Sequence, residues 1–157
     1  MMTIPEGFAD PDGVAGPVTI RQAVAWGELD LLGHVNHTVF LRWIENARIA
    51  WFERVGIAAS IGARQLGPIL ARIECDYRMP VEFPDTIWTS ARCIEIGRTS
   101  LILHSRIWSE QRNAIVAEGD VVVVLIDRAT QRSTAIPEVI RSAIAVYDGP
   151  RERGAKA

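Results

Sequence analysis

The run Asp30-Leu31-Leu32-Gly33-His34-Val35-Asn36-His37 gathers a carboxylate, a glycine and two imidazoles into one short stretch. It stands where a β-like segment ends and the longest helical pattern of the chain begins. The start of a helix leaves backbone N–H groups without partners and carries partial positive charge, so it can hold an oxygen on which negative charge develops. A carboxylate a few residues upstream is ionised at neutral pH. It could attack a carbonyl carbon held there, or take a proton from a water that does. The chemistry this arrangement suits is acyl transfer. The plainer alternative for Asp30 is a turn acid or helix cap. Gly33 suits a turn in which a side chain would obstruct an approaching substrate. His34 and Asn36 could orient Asp30 or a water, or simply cap the helix. His34 and His37 are three apart, but no third Cys, His or acid in ligand-type spacing accompanies them, so neither a metal nor a cofactor is expected.

The elements that must position these residues follow from periodicity. Val18 to Trp26 alternates as a first strand, with Val18, Ile20, Gln22, Val24 and Trp26 sharing a face. Thr38 to Val55 is the long helix: Phe40, Trp43, Ile44, Ala47, Trp51 and Val55 recur at helical spacing, with Arg42, Glu45, Arg48 and Glu53 opposite. Gly56 is placed to end it, and Asn36 or Thr38 to cap its start. Ala58 to Gly67 is too short and mixed to assign. Strands are expected over Ile69–Arg78, Thr86–Ile96, Thr99–Ser109 and Ala114–Asp127, rich in β-branched and aromatic residues and separated by turn chemistry. Val121 to Ile126 is apolar on both faces and should lie centrally in a sheet. Gly119 within it suggests a bulge or close backbone approach. Pro137 suits the first turn of a closing helix reaching about Val146.

Residues 1–17 are expected to be a loose arm, 18–149 a single domain and 150–157 a loose tail. The order of strand, long helix, four strands and short helix favours an α+β fold, an antiparallel sheet covered on one face by the long helix. Such a sheet leaves apolar edges that a second copy could cover, which points to a homodimer or a dimer of dimers.

Apolar residues make up 48% of the 157 and charged residues 23%, ordinary for a folded protein. A net charge of −2 argues against nucleic acid as a partner. No apolar run is long enough to span a bilayer, and the first residues lack the pattern of a secretory leader. Cys75 and Cys93 fall in strand-like runs without metal or redox spacing, as reduced core residues of a cytoplasmic protein would. No Gly-x-Ser-x-Gly elbow, Walker loop or dinucleotide fingerprint is present.

Asp30-x-x-Gly33-His34-Val35-Asn36 opening a long helix resembles the signature of hotdog-fold acyl-CoA thioesterases of the 4-hydroxybenzoyl-CoA thioesterase-like group. Asp76-Tyr77-Arg78-Met79-Pro80 resembles the Tyr-Arg-x-Pro strand end of that family, and Gly97-Arg98-Thr99-Ser100-Leu101 its Gly-Arg-Ser-Ser turn. The motifs fall in the family's order over about Val18 to Val146. The pattern departs at His37, where a second Asn is common, and at Phe40, where a Tyr is common. The resemblance implies a curved antiparallel sheet wrapped around one long central helix. It implies hydrolysis of an acyl-CoA, with Asp30 as nucleophile or general base and the helix amides near His37 polarising the carbonyl. Phe40 would line the acyl pocket, and Arg98 with Thr99 and Ser100 would hold the CoA end, with Arg72 or Arg128 as further candidates. Glu45 is the alternative catalytic carboxylate, since some hotdog enzymes use a helix acid; an ion pair with Arg42 or Arg48 is its ordinary explanation. Two other functions fit the same fold: a non-catalytic acyl-thioester-binding module, and an enoyl-thioester hydratase.

Overall fold

The computed structural model describes residues 4, 5, 7, 8, 18–63 and 65–152. Strand β1 (Val18–Ala23) leads through a short 3-10 turn (Trp26–Glu28) to helix α1 (His37–Arg54) and a one-and-a-half-turn helix α2 (Ile57–Gly62). Strands β2 (Leu66–Ile73), β3 (Asp76–Tyr77), β4 (Thr86–Ile96), β5 (Ser100–Ser109), β6 (Ala114–Asp127) and β7 (Arg132–Ser133) follow, then helix α3 (Glu138–Tyr147) and strand β8 (Arg151–Glu152). One sheet runs β1-β4-β5-β6-β2, with β3 and β7 on β6 and β8 on β4. Every pairing is antiparallel except that of β8 with β4. The expected α+β architecture, a curved sheet around one long helix, is what the chain adopts.

The core lies between α1 and the concave face of the sheet. Trp43, Ile44, Ala47 and Trp51 recur along one face of α1 and are buried against Ile87, Ala91 and Cys93 of β4, Leu101, Leu103 and Ile107 of β5, and Val121, Val123 and Leu125 of β6. Strand β6 sits between β5 and β2, the interior position its doubly apolar run predicts. Asn36 caps α1 by accepting the Thr38 amide at 3.0 Å, and Gly56 ends it with φ +83°.

Several expectations are corrected. Trp26 does not extend the face of β1; it falls in the 3-10 turn and is 74% exposed. The strand expected over Ile69–Arg78 is two strands, because the chain at Glu74 and Cys75 crosses directly over Gly119. A Cβ at Gly119 would lie 1.9 Å from the Glu74 carbonyl oxygen, so the glycine answers to that close approach. The arm expected to be loose includes Phe8, which is buried in an edge contact with Trp108, ring centroids 6.3 Å apart. The tail expected from Pro150 begins with β8, whose backbone pairs with Glu95 and Ile96. The remainder of both segments lies outside the described residues. No helix among the described residues is long and apolar enough to cross a membrane.

Candidate active site

The loop before α1 is held by its own backbone. The Asp30 amide donates to the His34 carbonyl at 2.8 Å and the Gly33 amide to the Asp30 carbonyl at 3.1 Å, while Leu29 and Val35 form a β-bridge. Oδ1 of Asp30 accepts the Leu32 amide at 2.8 Å and the His34 amide at 3.4 Å. This is the local side-chain-to-backbone bonding that aspartate makes in turns. Both bonds use the same oxygen, so among the described residues Oδ2 of this exposed carboxylate has no partner. Gly33 has φ +78°, where glycine is favoured, and among the described residues no atom beyond its chain neighbours lies within 4 Å of the place its Cβ would take. The turn itself therefore requires the glycine.

The backbone amides at the helix start are almost all taken. Val35 donates to the Val81 carbonyl at 2.8 Å, Asn36 to Glu28 at 2.9 Å, Thr38 to the Asn36 side chain at 3.0 Å and Val39 to the Asn36 carbonyl at 2.9 Å. Within this run, and among the described residues, the His37 amide alone has no acceptor. It sits at the positive end of α1, where an incoming oxygen would find both a donor and the helix dipole.

Asp30, His34, Val35, His37 and Phe40 line a cavity of about 320 Å³ with Tyr77, Arg78, Met79 and Pro80. Phe40 closes its inner end, 3% exposed, edge-on to Tyr77 at 5.3 Å and tilted against Trp43 at 5.0 Å. His34 Nε2 lies 3.8 Å from Glu82 Oε1, which also accepts Arg112 at 2.8 Å, so the imidazole faces an acid that is itself held. A second, wider groove of about 950 Å³ is lined by Asp30 together with Trp26, Gly27, Leu29, Leu31, Leu32, Gly33 and Asn36. Asp30 stands in the wall of both.

Sequence reasoning missed Tyr77 as part of this site. Its hydroxyl donates to the His37 carbonyl at 3.1 Å, tying β3 to the first turn of α1. Burial pushes its pKa up from the ordinary phenol value. The Tyr-Arg-Met-Pro segment is the available signal, but a contact across 40 positions has no periodicity to betray it.

Other candidates lie elsewhere. Arg98 and Thr99 lie in the β4–β5 turn and Ser100 opens β5, at the opposite end of α1 from Asp30. Trp51, near the helix C-terminus, shares Asp148 with Cys93 of β4, and β4 runs on past Cys93 toward Arg98. From His37 to Trp51 the helix rises on the order of 20 Å, so within one chain these residues do not join the Asp30 cavity. Glu45 lies two turns down α1 in a groove with Leu41, Arg42, Arg48, Leu70 and Ile73, paired with Arg48 at 3.2 Å. Burial lowers the Arg48 pKa, opposed by the Glu45 charge. His104 is bonded through Nδ1 to Asp120 at 2.7 Å, across the β5–β6 pair. No group of three His, Cys, Asp or Glu side chains among the described residues is placed to hold a metal ion.

Residues 24–144 match the thioesterase-like superfamily. The chain belongs to that superfamily. Similar proteins agree with this placement. The chain is 26% identical over 113 residues to the long-chain acyl-CoA thioesterase FadM of Escherichia coli, covering 72% of this chain and 86% of the relative. A thioesterase of Thermus thermophilus solved with coenzyme A and zinc superposes with a TM-score of 0.75 at 32% identity, covering 86% of this chain and 96% of the other. The PA2801 protein of Pseudomonas aeruginosa superposes with a TM-score of 0.73 at 34% identity, covering 82% and 98%. The chain is thus a hotdog-fold thioester hydrolase, and its candidate site sits at the loop-to-helix junction.

Proposed function

We propose that the protein hydrolyses acyl-CoA thioesters to a free acid and CoA at the Asp30 cavity. The observation that carries this reading is the pairing of an uncommitted carboxylate oxygen with an uncommitted helix amide on one loop. The carbonyl oxygen of the thioester accepts the His37 N–H, which becomes a better partner as charge grows on that oxygen. Asp30 then acts in one of two ways. As a base it takes a proton from water while the water oxygen adds to the carbonyl carbon; as a nucleophile its own oxygen adds, and water later cleaves the mixed anhydride. In either case the C–S bond breaks and the thiolate leaves to be protonated. His34, facing Glu82, orients the loop side of this arrangement, and Asn36 keeps the helix start in place.

The open edge of β2 supports assembly as a homodimer. Ile69 and Leu70 on that edge are 48% and 45% exposed, and Ile49 of α1 is 48% exposed. An isologous pairing of two β2 edges runs the partner's strands in reverse. It therefore brings the partner's β4–β5 turn to the level of this chain's Asp30. We place Arg98, with Thr99 and Ser100, at the CoA phosphates of the partner's site.

Release of free thiol from a panel of acyl-CoAs tests the reaction: a thioesterase liberates CoA, a hydratase consumes only an enoyl double bond, and a binding module does neither. Mixing Asp30→Asn and Arg98→Ala subunits tests the assembly. Hybrid dimers carry one site with Asp30 and Arg98 both intact and should recover activity that neither variant shows alone at low substrate. Absence of recovery in proven hybrids sinks the trans assignment of Arg98.

A further inference from the structure

Where the chain reverses between β4 and β5, a fixed backbone carries a free side chain. Every carbonyl from Gly97 to Ser100 is occupied. Ser100 accepts the Gly97 amide at 2.8 Å, Thr99 the Leu125 amide at 2.9 Å and Arg98 the Ile136 amide at 2.9 Å. The Gly97 carbonyl accepts Nη2 of Arg141 at 2.8 Å, so three of the four donors are backbone amides and the fourth is a side chain. Gly97 is buried. Arg98, the next residue, is exposed, and among the described residues its guanidinium has no partner.

Arg141 is itself held. Its side chain on α3 is 22% exposed, and its Nη1 donates to both oxygens of Glu152, at 3.0 and 3.1 Å. Glu152 ends β8 and lies opposite Ile96, the residue before Gly97. One guanidinium thus bridges β8 to the Gly97 carbonyl with a planar fork that a lysine lacks. A buried carbonyl that loses its donor is driven toward water, and the neighbouring Arg98 would move with it. A binding side chain on a backbone already fixed costs less to order when the ligand arrives. We propose that Arg141 and Glu152 are positioning residues for Arg98, so that α3 and the C-terminal strand take part in holding the CoA end of the substrate. They act through the turn and not on the phosphate itself. This assignment rests on the acyl-CoA reading above, with Arg98 at the CoA phosphates.

Calorimetric binding of CoA, which needs no turnover, tests the proposal as a double-mutant cycle. Arg141→Met should weaken CoA binding about three- to tenfold in the otherwise intact protein, but by less than about twofold when Arg98 is already replaced by Ala. A residue that acts only through Arg98 then has nothing left to position. Arg141→Lys keeps the charge without the fork and should fall between wild type and Arg141→Met. Glu152→Gln should weaken binding less than Arg141→Met does and add nothing to it. In turnover, Arg141→Met should raise KM for acyl-CoA with kcat within about twofold, and leave KM unchanged for an acyl-N-acetylcysteamine, which lacks the nucleotide. Additive losses in the cycle would mean that Arg141 attracts the phosphate directly, and equal losses on both thioesters would mean general destabilisation. Either overturns the proposal. So does a lower melting temperature in Arg141→Met and Arg141→Lys with unchanged CoA affinity. If CoA binds with the coupling intact and no acyl-CoA releases thiol, the thioesterase reading fails and the positioning role stands. If the wild-type protein binds no CoA, the positioning role fails with the reading it rests on.

Discussion

The two ends of α1 each carry an aspartate, and the two aspartates are opposites. At the N-terminal end Asp30 is exposed, spends one oxygen on its own loop and leaves the other free beside two cavities. At the C-terminal end Asp148 is half-buried; its Oδ2 accepts the Trp51 indole N–H at 2.7 Å and the Cys93 amide at 2.9 Å. That carboxylate joins α1 to β4 and to the end of α3. Among the described residues its Oδ1 has no hydrogen-bond partner, and burial raises its pKa above the ordinary carboxylate value, opposed by the two donors. The same burial, with the Asp148 charge adding to it, holds the Cys93 thiol at about 12, so that cysteine is inert. One fold thus keeps a stapled end and an open end, and the proposed chemistry belongs to the open one.

The comparison breaks most visibly at Asp30. Asp30→Asn preserves the shape of the loop acceptor but removes the oxygen proposed as nucleophile or base. A positioned acid–base group contributes about 10²–10⁴-fold, so kcat should drop at least a hundredfold while the melting temperature moves little. If Asp30 were only a turn acid, the pattern would invert, with stability lower by about 1 kcal/mol and turnover near normal. Glu45→Gln is the control, because a rate collapse there would transfer the catalytic role to the helix acid.

At the stapled end the effect should be on folding alone. Asp148→Ala leaves the Trp51 indole and the Cys93 amide without an acceptor, a loss on the order of 2–4 kcal/mol in urea unfolding, with kcat per folded molecule retained. Asp148→Asn keeps an acceptor and removes the buried charge. Because the folded pKa is raised, the folded state holds this proton more tightly than the unfolded chain does. The favourable contribution is therefore complete below the unfolded pKa and is lost as pH rises through the folded one. Asp148→Asn should gain on wild type between an acidic buffer near the ordinary carboxylate pKa and neutral pH. A gain that shrinks over that interval would show the sign to be wrong.

How much of this contrast the sequence carries depends on distance along the chain. The run from Asp30 to Phe40 is contiguous, and the bonds Asp30 makes span no more than four residues, so the open end is legible from residue types and helix periodicity. The limits of β4 and β6 are legible too, because long alternating runs between turn residues leave little choice. The short helix α2 has too few turns to show a period. The break between β2 and β3 depends on Gly119 passing beneath Glu74, a contact between distant segments. The order of motifs pairs Arg98 with Asp30, but motif order says nothing about which end of a sheet each turn occupies. The stapled end is invisible for the same reason, since Asp148 meets Trp51 across 97 positions.

The smallest expected effect concerns the tyrosine tether at the open end. Tyr77→Phe deletes only the hydroxyl that donates to the His37 carbonyl, leaving the ring against Phe40. A neutral hydrogen bond is worth about 0.5–1.5 kcal/mol, and the His37 carbonyl also belongs to the first turn of α1, so the helix should persist. What loosens is the placement of the His37 amide, which matters more as charge develops on the carbonyl oxygen than when substrate first binds. We therefore expect kcat to fall about 3–10-fold with KM within about twofold, and the loss to be uniform from about pH 6 to 9. The raised phenol pKa keeps the hydroxyl protonated across that range, so a positioning role has no titration of its own. If Tyr77 instead donated a proton to the leaving thiolate, Tyr77→Phe would change the shape of the pH–rate profile and its effect would vary between thiols of different basicity. A flat loss across pH and leaving group keeps Tyr77 as the tether of the helix start; a tilted one makes it a participant in the reaction.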